Sequence, residues 1–301
     1  MREIFFNERR LRAGWRILLF LSLCYLLLLL LSPLLLALFP GLETADPADL
    51  RNLLLDGFFL LPLLLISWLL ARYIDHRPFA SLGLGLTPSW EKELFLGFSL
   101  GIAMGATFLS IGLLSGVIRL VGRGEATWRD LAILILGFLL AAGFEEILFH
   151  GYPFQALIEG IGVYPALFVI SIVFSLFHHL NPYLNLIGSI NIGLAGLLLA
   201  LGYVRTRALW LPIGLHFSWN LFQILFSFPV SGLRFLDGPF QADLQGPELL
   251  SGGGFGPEGS LIATAVFAGA IAFLALSPWV RPRPAMERLW KEYIRSTSLR
   301  G

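Results

Sequence analysis

The chain has 301 residues, of which 56% are hydrophobic and only 14% charged, with a net charge of +1 and a mean hydropathy of +0.78. No soluble domain of this length could hide so much apolar surface, and the near-neutral balance gives no basic field for nucleic acid. The composition therefore points to an all-α, polytopic membrane protein whose first partners are membrane lipids.

About 20 helical residues cross roughly 30 Å of hydrocarbon, and apolar stretches of that order recur along the chain, giving an expected bundle of about eight transmembrane helices. The first covers 17–39, is longer than a signal-peptide core and is expected to be retained; the second covers 53–71 and the third 94–120. The fourth starts near Asp130 and carries a pair of glutamates. The remaining four are 163–180, 187–204, 209–228 and 261–280. Asp56, near the start of the second stretch, reads as an interfacial residue. The connection 231–259 is the longest, and its Gly252-Gly253-Gly254-Phe255-Gly256-Pro257 run reads as a flexible, solvated linker. The single cysteine, Cys24, cannot form an internal disulfide.

Cytoplasmic flanks collect Lys and Arg. Arg2, Arg9, Arg10, Arg12 and Arg16 precede the first span, whereas Glu43, Asp46 and Asp49 make the next loop acidic. Arg72, Arg77, Lys92, Arg205 and Arg207 fall on the same side as the N-terminus, as does the basic tail with Arg281, Arg283, Arg288, Lys291, Arg295 and Arg300. Arg119, Arg123 and Arg129 fall on the other. This pattern gives an integral protein of a cell membrane, bacterial by its short chain, with both termini cytoplasmic.

Charged side chains at membrane depth cost about 2.5–3.5 kcal/mol each on insertion scales, so the polar islands inside these stretches call for a purpose. Glu145-Glu146 is followed by His150, which shares a helix face with Glu146 and leaves Glu145 pointing about 100° away. A second island, Phe174 to Pro182, holds His178 and His179; only one of them can face a given cavity on a regular helix. In the third, His216 and Asn220 stand four apart on one face.

Amide hydrolysis needs a base to activate water, and donors for the oxyanion that forms. Glu145, His178, His216 and Asn220 supply both. No G-x-S-x-G elbow is present, which disfavours a serine nucleophile. Glu145, His178 and His216 are also the residue types of a catalytic zinc site, although neither H-E-x-x-H nor H-x-x-E-H occurs. Water activation without a cofactor and a zinc-dependent version both stand at this point, as does a proton-coupled transporter using the same buried groups. A catalytically silent membrane scaffold or immunity protein is the alternative that needs no chemistry.

These islands resemble the three motifs of the CPBP family of intramembrane proteases, the CAAX-processing and bacteriocin-processing proteins also called the Abi family. E-E-x-x-x-R corresponds to Glu145-Glu146 with His150, F-x-x-x-H to Phe174 with His178, and H-x-x-x-N to His216 with Asn220. The departure is His150, where the family has arginine. The resemblance implies an intramembrane endopeptidase acting on membrane-associated or lipidated peptides. Glu145 and His178 would activate water, His216 and Asn220 would hold the oxyanion, and Glu146 with His150 would give structural support. It implies three regions: 1–129 with the first three helices, a catalytic core over 130–228, and 229–301 with an outer loop, the last helix and the basic tail.

Overall fold

The computed structural model describes residues 2–7, 10–38, 40 and 50–289. The acidic residues Glu43, Asp46 and Asp49, together with Arg9, Lys291, Arg295 and Arg300, lie outside the described residues. The helices that build the bundle are α1 (Ala13–Leu38), α2 (Leu50–Leu69), α3 (Trp90–Ser115), α4 (Trp128–Glu145), α5 (Tyr152–Ile161), α6 (Val163–Phe177), α7 (Leu186–Thr206), α8 (Trp210–Leu225) and α9 (Leu261–Leu276).

The fold is all-α and rich in membrane helices, but in place of the expected eight spans there are, among the described residues, five helical stretches that are both long and apolar enough to cross a membrane. These are Ala13–Leu38, Leu55–Ile74, Trp90–Ser115, Trp128–Ile161 and Leu186–Thr206. Helices α6 and α9, in two of the expected places, have 15 and 16 residues. They rise about 22–24 Å, short of the roughly 30 Å of hydrocarbon. The third stretch also ends early. Gly116, at φ +75°, caps α3 after Ser115, and the apolar residues that follow belong to strand β1 (Ile118–Arg123). This strand pairs antiparallel with β2 (Phe240–Leu244), with a bulge between Leu120 and Gly122.

Helix α8 occupies the interior, with Leu211 to Leu215 and His216 buried. Small residues let helices approach closely where no hydrophobic drive separates protein from lipid, and α3 presents Gly97, Gly101 and Gly105 to α8 at four-residue spacing. A Cβ on Gly97 would stand 2.0 Å from the Leu211 carbonyl oxygen, and one on Gly101 would stand 2.0 Å from Ser218 Oγ. From the other side, a Cβ on Gly214 would stand 2.2 Å from the Leu94 oxygen. The two backbones meet along this seam, and it fixes the depth and rotation of the helix that carries His216 and Asn220.

Two of the arginines read as topological charges serve the fold as well. Arg16 is 4% exposed and Arg77 is 2% exposed. Arg16 bonds Asp75 at 2.9 Å and Glu159 at 2.7 Å, and Arg77 reaches Asp75 at 3.3 Å and Gln155 at 2.5 Å. Gln155 donates onward to the Tyr203 hydroxyl. The network joins α1, the segment after α2, α5 and α7.

The C-terminal part of the connection 231–259 is not a solvated linker. Phe255 is fully buried, the Gly232 amide donates to its carbonyl at 2.9 Å, and Pro257 to Gly259 form a buried 3-10 turn that leads into α9. The glycines there allow close packing rather than mobility: a Cβ on Gly252, at φ +84°, would meet the Gly256 oxygen at 1.8 Å.

The glycine seam makes a direct prediction. Gly101→Ala should destabilise by about 1–3 kcal/mol, the usual range for overpacking, whereas Gly269→Ala in α9, with nothing within 4 Å of the new methyl, should be neutral or slightly stabilising. Thermal unfolding of both variants in detergent checks this, and equal melting would mean that the seam does not set the packing of α3 on α8.

Candidate active site

Helix α4 starts at a capping box in which the Asp130 amide donates to Thr127 Oγ1 at 3.2 Å and the Thr127 amide donates to the Asp130 carboxylate at 3.0 Å. Counting from Trp128 at 1.5 Å per residue, Glu145 lies about 26 Å along the helix. There the helix widens into a π turn, Glu146–His150, a local irregularity that is common at functional sites.

Glu146 and His150 are both fully buried. The expected pairing of the two is present, with His150 Nδ1 2.7 Å from Glu146 Oε2. The other oxygen has a use that the sequence did not suggest: Glu146 Oε1 lies 2.8 Å from Nδ1 of His216, on α8. The carboxylate is thus the shared acceptor of two imidazoles, and it joins the first motif to the third.

Glu145 turns to the other side, as the 100° step requires. Its Oε2 lies 3.8 Å from His178 Nε2 and is a buried atom with no hydrogen-bond partner among the described residues. His178 is not inside a span: α6 stops at Phe177, and His178 forms its C-cap at φ −94°, ψ 4°. Its Nδ1 lies 2.8 Å from the Phe174 carbonyl oxygen. Since a carbonyl only accepts, Nδ1 carries the hydrogen, and Nε2 is the ring nitrogen that faces Glu145. The Phe174 ring packs on His178 at 4.9 Å between centroids, which gives the apolar residue of that island a packing role. His179 faces away and is exposed.

Glu145, His178, His216 and Asn220 line one cavity of about 260 Å³. The sequence reading missed two further carboxylates in its wall. Asp56, taken as interfacial, lines the cavity from α2, and Glu258 lines it from the supposed linker. A charge inside an apolar run was a readable signal for Asp56, whereas the Gly-rich neighbourhood of Glu258 gave none. Among the described residues no group of three His, Cys, Asp or Glu is placed to hold a metal ion, and Nδ1 of His216 is engaged by Glu146.

Removing the shared acceptor should be costly. Glu146→Leu strands two imidazoles, at about 1–3 kcal/mol for each buried group left unsatisfied. A drop in thermal stability larger than that of His150→Ala alone is the expected result, and equal losses would show that the bond to His216 contributes nothing.

The search of curated proteins and that of solved structures returned no match to this chain. Residues 127–222 match the family described as type II CAAX prenyl endopeptidase Rce1-like. That segment, about a third of the chain, contains Glu145, Glu146, His150, His178, His216 and Asn220, while Asp56 and Glu258 lie outside it. The part of this membrane protein that carries all three motifs is thus similar to the Rce1-like CAAX protease family.

Proposed function

We propose that the protein is an intramembrane endopeptidase that hydrolyses a peptide bond in a membrane-associated or lipidated substrate, with both of its own termini in the cytoplasm. The observation that carries this reading is the gap between Glu145 Oε2 and His178 Nε2. Two acceptors 3.8 Å apart, one of them without a donor, are suited to a single water that gives a hydrogen to each. Such a water keeps a lone pair free for attack on a carbonyl carbon.

In the proposed reaction the water oxygen bonds to the carbonyl carbon while Glu145 takes its proton, with His178 holding the second hydrogen. The electron pair moves onto the carbonyl oxygen. Asn220, which lines the cavity, offers its carboxamide N–H to that oxyanion. His216 can donate from Nε2 while also donating from Nδ1 to Glu146 only as the imidazolium, with Glu146 as its counter-ion. Collapse of the intermediate expels the amine, which leaves with the proton held by Glu145. Bonds and protons balance without a cofactor.

The test uses purified protein and a panel of membrane-anchored peptides that includes a farnesylated CAAX sequence. Glu145→Gln should abolish hydrolysis without lowering thermal stability, and Asn220→Ala should lose about 10²- to 10³-fold in kcat, the scale for one oxyanion donor. Full activity of Glu145→Gln would sink the mechanism. Loss of wild-type activity to a chelator, with recovery on adding zinc, would replace it with the metal-dependent version.

The topology is checked separately. A reporter active only in the cytoplasm should give signal when fused to either end, and a silent C-terminal fusion beside an active N-terminal one would overturn the proposed orientation.

A further inference from the structure

Glu258 is 3% exposed, lies outside the family-matched segment, and spends its carboxylate on neutral donors. Oε1 accepts from Trp219 Nε1 at 2.9 Å, and Oε2 accepts from both the amide and the hydroxyl of Ser231 at 2.7 Å. Its backbone carbonyl accepts from Asn191 of α7 at 2.7 Å. A carboxylate in an apolar interior is costly unless its oxygens are satisfied, and hydrogen bonds to a charged acceptor are about twice as strong as neutral ones.

The two ends of this clamp lead to the two halves of the site. Trp219 stands on α8 three residues after His216 and directly before Asn220, and its indole is held on its other side by Phe267 of α9, 5.2 Å between centroids. Fixing the indole fixes the rotation of the turn that presents His216 and Asn220. At the second end, Ser231 sits in the left-handed region at φ +48°, a conformation that costs a residue with a side chain about 1–3 kcal/mol unless its surroundings hold it. Glu258 holds it through both donors. The Ser231 carbonyl in turn accepts from Asn181 Nδ2 at 2.9 Å, and Asn181 belongs to the same tight turn as His178, whose carbonyl oxygen accepts the Asn181 amide at 3.0 Å.

We propose that Glu258 is a positioning residue of the hydrolytic site, clamping the His216–Asn220 turn through Trp219 and the His178 turn through Ser231 and Asn181, so that base and oxyanion donors keep their separation across the cavity. This rests on the hydrolytic reading of that cavity. Only a carboxylate serves both ends, because a glutamine at 258 would turn its NH₂ toward the donors of either Trp219 or Ser231.

The experiment compares wild type, Glu258→Gln, Trp219→Phe and the double variant in two independent ways. Steady-state kinetics on the peptide panel should show kcat lowered about 10²-fold in Glu258→Gln, the scale of a misplacement near 1 Å, with KM within about twofold. The double variant should lose no more than the worse single, as expected for residues acting through one contact. Without any substrate, spectra of ¹⁵N-labelled Trp and His side chains should show Glu258→Gln shifting the Trp219 indole together with the His216 and His178 imidazoles. Unmoved imidazole signals, or a kcat equal to that of wild type, would overturn the proposal. If wild type cleaves none of the peptides, the hydrolytic reading falls, and the imidazole signals still decide whether Glu258 sets the geometry.

Discussion

The site is organised around one buried negative charge. A carboxylate with no exposed surface, such as that of Glu146, would be excluded from this interior if it were not hydrogen-bonded at both oxygens. It meets that requirement with two imidazoles, one on its own π turn and one on α8. The bond to His150 stays within α4 and the turn that follows it, but the bond to His216 crosses between helices. Satisfying the charge therefore brings α4 and α8 together. Once Glu146 points at α8, the helical step turns Glu145 toward His178, and the placement of Glu145 follows from the burial of its neighbour.

Packing then has to hold α8 still, because an imidazole bond at 2.8 Å does not survive much sliding of one helix on another. Three glycines on α3 and Gly214 on α8 bring the two backbones into contact. From the far side, Trp219 packs on α9 and bonds Glu258. The helix is thereby gripped by a close-packed seam on one side and a charge-assisted hydrogen bond on the other. Each of these grips is supplied only in part from within the family-matched segment, since α3 and the turn that carries Glu258 both lie outside residues 127–222. The remainder of the chain is thus part of the machinery that sets the site, and not merely an anchor around it.

The sequence was most legible where polarity interrupts a long apolar run. Glu145, Glu146, His150, His216 and Asn220 could be found because each violates the cost of burial, and their spacing told which of them share a face. The structure puts Glu145, His178, His216 and Asn220 around one cavity. Legibility failed where apolar character had a cause other than spanning. Ile118 and Leu120 extended the third expected helix, although the left-handed Gly116 ends it and the residues beyond pair as a strand. Helices α6 and α9 have apolar sequences but only 15 and 16 residues, fewer than the five candidate spans. Glu258 was hidden for the opposite reason. Glycine and proline around it suggest a solvated loop to any local reading, and only the long-range contacts with Trp219 and Ser231 show it to be buried.

The position at which this chain departs from the family pattern gains a specific meaning from the geometry. An arginine in place of His150 would bring a permanent cation to Glu146 and neutralise it. His150 satisfies the same oxygen through Nδ1, and its ring is enclosed by Phe154 and Phe174, each 5.9 Å away between centroids. His216 faces the cavity and needs a counter-ion if it is to donate from both nitrogens at once. The exchange of arginine for histidine therefore leaves Glu146 held by two imidazoles, one sealed behind the site and one that lines it.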